Sequence, residues 1–468
     1  MQTTLLVTLT LLGCALPQDP AAQATPSEAP ARRPNVVLFY ADDLGWKDLG
    51  CYGNEFHDTP RLDRLASEGM LFRAAYANAP NCAPSRASLM TGLYTPRHGV
   101  YTVAPSTRGK AEHRKLLVPK TRKALEPESW TIAEALSEAG YRCASIGKWH
   151  LGESPTEQGF EVGTAGTQRG HPKSYFSPYQ NPALSDGPAG EHLTARLTAE
   201  ALDFIDQAKD GPFFLYLPYF SVHTPIQARE DLAAKYRARK GDAEGRLPRP
   251  AYAAMVEAMD QSVGMVLDRL EELELAAHTL VLFSSDNGGH GRQTSMAPLR
   301  GSKGMLYEGG VREPLIVRWP GRVAPGSVSE EVVIGTDLFP TLLEATGVEL
   351  AEGRVLDGES IVPALTGGEL EREAIYWHFP AYLQGYDKNQ RWRTTPASSV
   401  RAGRYKLLEF FEDGRLELYD LDRDAGETRD LTDELPEVRE RLHGLLVEWR
   451  AEVDAPVPSE PNPEYVPD

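Results

Sequence analysis

The chain has 468 residues, 41% of them hydrophobic, and a formal net charge of −18. That length allows one large domain, or one large and one small. The charge excludes nucleic acid and an acidic membrane surface as bulk partners, so an anionic ligand would need cations concentrated locally.

The first element is an apolar run over residues 5–16, too short to span a bilayer. It reads as a targeting segment and predicts an exported protein: periplasmic, secreted, or an outer-membrane lipoprotein. Leu11-Leu12-Gly13-Cys14 has the form of a bacterial lipobox, which would acylate Cys14 and provide a lipid anchor. Ala22-Gln23-Ala24 has the form of an ordinary signal-peptidase site. Residues 1–24 are therefore assigned to the signal and 25–34 to a linker rich in Pro and Ala. No later segment resembles a membrane span.

Asn35-Val36-Val37-Leu38-Phe39-Tyr40 is a continuous apolar run that ends in Ala41-Asp42-Asp43. Such a run suits a parallel strand buried on both faces. Its carboxylates then fall at the C-terminal end, where open α/β sheets place their ligands. The pattern recurs at 212–218, followed by His223-Thr224-Pro225, and again at 314–319. It also recurs at 280–285, followed at once by Asp286-Asn287-Gly288-Gly289. Helical patterns lie between these runs. Thr59-Pro60 opens one that closes at Glu68 before Gly69, and Ser129 caps another through Ala139. Residues 193–208 and 252–273 are amphipathic at helical spacing. The alternation predicts an α/β domain with helices on both faces of its sheet.

The C-terminal part reads differently. Residues 398–408 and 415–421 alternate apolar and polar, with Phe411-Glu412-Asp413-Gly414 as the turn between them. This predicts a smaller antiparallel sheet, closed by a helix over 436–449. The boundary is placed in the Gly- and Glu-rich stretch 365–372, giving a large domain over 35–368 and an α+β subdomain over 369–468. Besides Cys14, the cysteines are Cys51, Cys82 and Cys143. An odd number argues against a disulfide framework. Cys51 and Cys143 can pair or stay buried as thiols, and burial is the preferred reading.

Two carboxylate-bearing strand ends suggest chemistry. Asp42, Asp43, Asp286 and Asn287 are hard oxygen donors, suited to calcium or magnesium rather than zinc. Adjacent Asp42 and Asp43 meet one ion only if the chain turns there. Each pair alone is equally ordinary turn chemistry. Cys82 precedes Ala83-Pro84-Ser85-Arg86, where a helix can open. A helix N-terminus favours negative charge at residue 82, with Arg86 one turn on. The alternative is a buried cysteine at a helix start.

Cys82-Ala83-Pro84-Ser85-Arg86, with Leu89-Met90-Thr91-Gly92, resembles the signature of the type I, formylglycine-dependent sulfatases. Gly147-Lys148-Trp149-His150-Leu151-Gly152 resembles a second signature of that family. The order Asp42-Asp43, Cys82, Lys148, His150, His223, Asp286-Asn287, Lys303 also matches along nearly the whole mature chain. The resemblance implies an alkaline phosphatase-like fold, with a large, mixed, mostly parallel sheet sandwiched by helices. It implies that a sulfatase-maturating enzyme oxidises Cys82 to formylglycine, whose hydrate supplies the nucleophile. One diol oxygen would attack sulfur, and the other would lose its proton as the aldehyde re-forms and sulfate leaves. A serine could not release its sulfate in this way. Asp42, Asp43, Asp286, Asn287 and residue 82 would hold Ca2+, with Mg2+ the second choice. Arg86 would steady the formylglycine, and Lys148 and Lys303 would bind sulfate oxygens. His223 would protonate the leaving alcohol, and His150 would take the proton from the diol. His290 and Trp377-His378-Phe379 are further candidates for the pocket, the latter also readable as packing.

The expected substrate is a sulfated carbohydrate, with synthetic aryl sulfates as further esters. Loops 164–190 and 382–396 would shape specificity, and residues 172–188 would form a pocket wall. The competing readings are a phosphodiesterase or phosphonate monoester hydrolase of the same superfamily, and a non-catalytic protein that binds sulfated glycan.

Overall fold

β1 (Asn35–Ala41) is the first apolar run, and every residue in it is buried. Val37, Phe39 and Ala41 enter one hydrophobic core, while Val36, Leu38 and Tyr40 enter another on the opposite face. Burial on both faces is why the run shows no alternation. It is joined by β2 (Met70–Tyr76), β3 (Arg142–Ile146), β4 (Val162–Thr164) and β5 (Phe213–Pro218). β6 (Thr279–Ser285), β7 (Arg312–Arg318) and β8 (Ser327–Ile334) complete an 8-stranded sheet in the order β4-β3-β5-β1-β6-β7-β2-β8. β7 pairs antiparallel with both neighbours, and all other pairs are parallel.

This computed structural model describes residues 2, 5, 6, 33–239, 249–386 and 390–467. Apart from Gln2, Leu5 and Leu6, the expected leader, with both cleavage signals and Cys14, lies outside the described residues. So does the linker, apart from Arg33 and Pro34. Residues 33–468 form one compact unit. No described helix is long and apolar enough to cross a membrane.

The helices cover both faces of the sheet. α1 (Pro60–Glu68) and the helices Leu193–Ala208 and Pro250–Glu272 pack on one face. α2 (Cys82–Thr91) and the helices Ile132–Glu138 and Leu338–Thr346 pack on the other. One start differs from expectation. Thr131, not Ser129, caps Ile132–Glu138, because Glu134 lies three residues after Thr131. The Thr131 hydroxyl accepts the Glu134 amide at 3.2 Å, and the Glu134 carboxylate accepts the Thr131 amide at 2.7 Å. Ser129 has no acid at that spacing.

The C-terminal sheet contains β9 (Ala374–Phe379). β10 (Leu383–Gln384) and β11 (Trp392–Thr394) form a separate short ladder. β12 (Ala397–Ala402), β13 (Tyr405–Phe410) and β14 (Arg415–Asp420) complete the sheet in the order β14-β13-β12-β9. The single strand expected over 398–408 is in fact β12 and β13. Their two-residue turn, Gly403-Arg404, joins the paired Ala402 and Tyr405. A two-residue turn preserves the alternation, so periodicity hides it. Helix Pro436–Glu452 buries Leu442, Leu446 and Trp449 against this sheet. Trp377, His378 and Phe379 lie on β9 and are buried. The Trp377 indole donates to the Ala77 carbonyl at 2.8 Å, and His378 meets Ser398 Oγ at 2.7 Å. They are packing, not pocket.

Buried charge joins the two sheets. Lys406 on β13 is fully buried between Glu308 at 2.9 Å and Glu427 at 3.1 Å. Tyr76 at the end of β2 donates to Glu308 at 2.8 Å. Removing one partner strands the others in a medium of low dielectric. Lys406→Met is therefore expected to destabilise the fold by about 3–5 kcal/mol, read as a clear drop in melting temperature. An unchanged melting temperature would show that the network contributes little.

Candidate active site

Four neighbouring parallel strands, β3, β5, β1 and β6, deliver the candidate residues to one edge of the sheet. β1 runs into Asp42-Asp43, and β6 into Asp286-Asn287. β3 runs into Gly147-Lys148, and β5 leads to His223. Asp43 takes a left-handed φ of 60°, so the chain does turn there. Gly147 also has positive φ, and a Cβ on it would meet the Pro218 carbonyl oxygen at 1.9 Å. The Lys148 loop can cross so close to β5 only with glycine there.

The charged groups interlock. Lys148 Nζ lies 2.7 Å from Asp42 Oδ2 and 3.8 Å from Asp286 Oδ2. Arg86 grips Asp286 Oδ2 through Nη2 at 2.7 Å and Nε at 2.9 Å. Its other contacts are the Lys148 carbonyl, the Tyr216 hydroxyl and the Tyr40 ring. Arg86 thus anchors a carboxylate. Lys303 Nζ lies 2.5 Å from Asp43 Oδ1 and 3.3 Å from Cys82 Sγ. Asn287 donates to Asp43 Oδ1 at 2.8 Å. The three carboxylates are thus matched by three cations, Arg86, Lys148 and Lys303.

Three acceptor oxygens stay unclaimed. Asp42 Oδ1, Asp43 Oδ2 and Asn287 Oδ1 are buried with no hydrogen-bond partner. Ligand atoms of Asp42, Asp43, Cys82 and His223 all lie within 4.8 Å of one another. Buried oxygens without donors are costly unless a cation occupies the space between them. Burial pushes the Asp42 carboxyl up to about 8, against the pull of Lys148. For Asp43, burial is outweighed by Lys303 and His223, and its pKa lies well below the usual carboxylate range. The donor set fits a hard divalent ion.

Cys82 is the first residue of α2, with Asn81 as N-cap, and all ten residues of this helix are buried. Burial pushes the Cys82 thiol up to about 11, although Lys148 and Lys303 oppose it. Ser85 Oγ donates to the Ala79 carbonyl at 2.8 Å and fixes the turn into the helix. Cys51 and Cys143 are free thiols.

The two histidines differ. His150 Nδ1 is buried without a partner. Burial first, then Lys148 and Arg86, holds its pKa well below the ordinary value, so the ring is a neutral proton acceptor. A Cβ on Gly170 would lie 2.3 Å from His150 Cε1, so only glycine leaves room for the ring. His223 Nδ1 lies 2.7 Å from the Thr224 carbonyl and must be its donor. Nε2 faces Asp43 Oδ2 at 3.6 Å. Burial, then Lys303, lowers His223 to about 3. It can donate from Nε2 only as an imidazolium, which an arriving anion would favour.

A cavity of about 360 Å3 opens on this cluster, and Cys82, His150, His223 and Lys303 line it. Lys148 is not among the lining residues and sits behind, paired with carboxylates. Gly170 and His171, Leu383 and Arg393 line the cavity from the two loops expected to shape specificity. Residues 172–188, expected as a wall, do not line it. His290 is not a lining residue either, and its ring packs on Tyr386 at 4.7 Å. The glycines flanking Lys303 serve protein neighbours: a Cβ on Gly304, at φ +91°, would meet Leu383 at 2.9 Å and Arg393 at 3.1 Å. Arg108, His171 and Arg393 also line the cavity, and the sequence alone does not point to them. They lie on separate loops, and no local pattern marks them.

A family profile described as "Sulfatase" matches residues 34–348. The chain belongs to the sulfatase family. A second profile, "N-sulphoglucosamine sulphohydrolase, C-terminal", matches 302–452 of this sulfatase. It is 34% identical to a sulfatase of Formosa agariphila, over 91% of this chain and 90% of that protein. It is 33% identical to human N-acetylgalactosamine-6-sulfatase, over 92% of this chain and 87% of that protein. Among solved structures, Ps i-CgsB in complex with k-i-k-neocarrahexaose superposes with a TM-score of 0.75 at 29% identity. That match covers 89% of this chain and 93% of the other. The fold is alkaline phosphatase-like, and the protein is a sulfuric ester hydrolase.

Proposed function

We propose that this sulfatase hydrolyses a sulfate monoester on a carbohydrate, with formylglycine at residue 82 and calcium beside it. The observation that carries this reading is the cluster of Asp42, Asp43, Cys82 and His223, whose ligand atoms lie within 4.8 Å of one another, with Asp42 Oδ1, Asp43 Oδ2 and the Oδ1 of the neighbouring Asn287 all unpartnered. Calcium there would polarise a sulfate oxygen and acidify the attacking hydroxyl, and hydrated formylglycine would supply that hydroxyl. Asp42, Asp43, Asn287 and Asp286 would hold the ion, with Asp286 oriented by Arg86. Lys303 lines the cavity and would hold a sulfate oxygen. Lys148 would act from behind, opposing the effect of burial on Asp42 and holding Asp42 and Asp286 in place. His150, neutral and facing the cavity, would accept the diol proton. His223, as an imidazolium, would donate to the leaving alcohol.

The carbohydrate reading is supported by the cavity, which is lined by two arginines, three histidines and a lysine and sits at the small end of the usual ligand range of about 300–1,000 Å3. The names of the relatives point the same way. Export, with a maturating enzyme acting on Cys82 and a lipid anchor at Cys14 as one mature form, belongs to the same proposal.

The test is sulfate release from sulfated galactose, glucosamine, N-acetylgalactosamine and fucose, beside a small aryl sulfate and an aryl phosphate diester. Turnover of a sugar sulfate is expected. Turnover of the aryl sulfate with none on the sugars would overturn the carbohydrate assignment, and faster diester cleavage would favour the phosphodiesterase reading. His223→Ala is expected to lower kcat on a sugar sulfate by about 10^2–10^4-fold. It should cost much less on an aryl sulfate, whose leaving group needs no proton. Equal losses on both would remove His223 from the acid role.

A further inference from the structure

Arg108 and Arg393 line the same cavity as Cys82 and Lys303. Neither makes an ion pair with a carboxylate among the described residues. The guanidinium groups that hold other parts of this fold do: Arg86 with Asp286, Arg372 with Asp337, Arg404 with Asp420. Arg108 Nη2 donates to the Val103 carbonyl at 3.3 Å, and Arg393 Nη1 donates to the Lys303 carbonyl at 3.2 Å. The Nε of each is buried and unpartnered. A guanidinium carries five N–H donors in a planar fork, so most of each fork is unclaimed by protein.

The pair is also held in place. Arg393 stacks over the Tyr386 ring at 4.0 Å, and the Tyr386 hydroxyl donates to the Lys303 carbonyl at 3.1 Å. Burial, then the charge of Arg393, lowers the pKa of Arg108, so the two cations feel each other. Two like charges lining one cavity, with donors idle, are stabilised by an anion that takes both forks. The protein as a whole is acidic, which makes this local cationic pair more telling.

We propose that Arg108 and Arg393 form a second anion subsite, which binds a carboxylate or a second sulfate on the carbohydrate whose scissile sulfate lies at residue 82. This rests on the carbohydrate sulfatase reading above. Lys303 fixes the spacing: its side chain touches Cys82 and its carbonyl holds Arg393. The second anion therefore belongs to the same ring or to its neighbour. Arg108 and Arg393 are specificity-determining residues in this scheme, acting on binding rather than on the reacting atoms.

The probes are the monosulfated sugar cleaved fastest in the panel above, its disulfated form, and its disaccharide with an adjoining uronic acid. The wild-type enzyme is expected to prefer one dianionic probe by about tenfold or more in kcat/KM. Preference for the disulfate identifies a second sulfate, and preference for the uronide identifies a carboxylate. R108Q and R393Q are each expected to cut that preference about tenfold, mainly through KM. R108K and R393K, which keep the charge and lose the fork, should restore part of it. Melting temperatures exclude misfolding, and if a Gln variant fails to fold, the wild-type preference and the Lys variants decide. Equal kcat/KM on all probes, or variants that slow every probe alike, would overturn the subsite. Sulfate release from the aryl ester alone would instead remove the carbohydrate reading, and the subsite with it.

Discussion

Cys82→Ala is expected to abolish sulfate-ester turnover, with a loss of at least ~10^4-fold. Cys82→Ser is expected to stop after a single event. The geometry explains both. Residue 82 is the one cavity-lining nucleophile in contact with Lys303 and within reach of the orphaned oxygens of Asp42 and Asp43. As a thiol it is ill suited to attack. Burial pushes it up to about 11, so almost none is thiolate at neutral pH. Sulfur is also a poor partner for a hard cation, so an oxygen at this position completes the donor set far better. Serine supplies that oxygen and can take the sulfate. It has no second hydroxyl whose proton could leave to expel the sulfate, so the variant should accumulate a sulfated residue 82. Intact and peptide mass of the Ser variant after exposure to substrate checks this. Peptide mass of the wild-type protein, made beside a maturating enzyme, should show the aldehyde. Full activity from a protein whose residue 82 remains a thiol would overturn the mechanism.

Much of this architecture can be read from the sequence because its central strands are buried on both faces. β1, β5 and β6 carry uninterrupted apolar runs, and the polar residues that follow them are the ones at the site. Other strands left no such trace. β8 contains Ser327-Val328-Ser329-Glu330-Glu331 and lies at the sheet edge, half exposed, where charged residues are normal. β2 carries Arg73 on its exposed side, which breaks the apolar run. The site divides in the same way. Asp42, Asp43, Asp286 and Asn287 follow directly from strand ends, and Cys82 from a helix start. Arg108, His171 and Arg393 reach the cavity on loops far apart in sequence, and only the folded chain shows them together. Roles are also less legible than positions. Lys148 and Lys303 look alike as flexible cations beside glycines, yet one is sealed behind the carboxylates and the other faces the cavity.

Removing divalent metal is expected to abolish turnover and to lower the melting temperature, with calcium restoring both and magnesium restoring less. Asp42, Asp43 and Asp286 are fully buried and face Arg86, Lys148 and Lys303, so the six formal charges cancel. Cancellation does not satisfy every atom, because Asp42 Oδ1, Asp43 Oδ2 and Asn287 Oδ1 have no donor. Without a cation, these oxygens keep the cost of lost hydration. A divalent ion removes that cost and leaves the site with surplus positive charge, which is what a sulfate monoester requires. Calcium accepts six to eight oxygens in flexible geometry, whereas magnesium demands a tight octahedron and sheds water reluctantly. An irregular set drawn from two strand ends and a helix start suits the former. At a free concentration 100 times its dissociation constant, the ion should stabilise the fold by about 2.7 kcal/mol. Asp43→Asn should weaken calcium binding in a titration followed by melting temperature, a readout independent of catalysis. Protein shown by elemental analysis to be metal-free, yet unchanged in turnover and melting temperature, would leave the three orphaned oxygens without an explanation and the proposed mechanism without its Lewis acid.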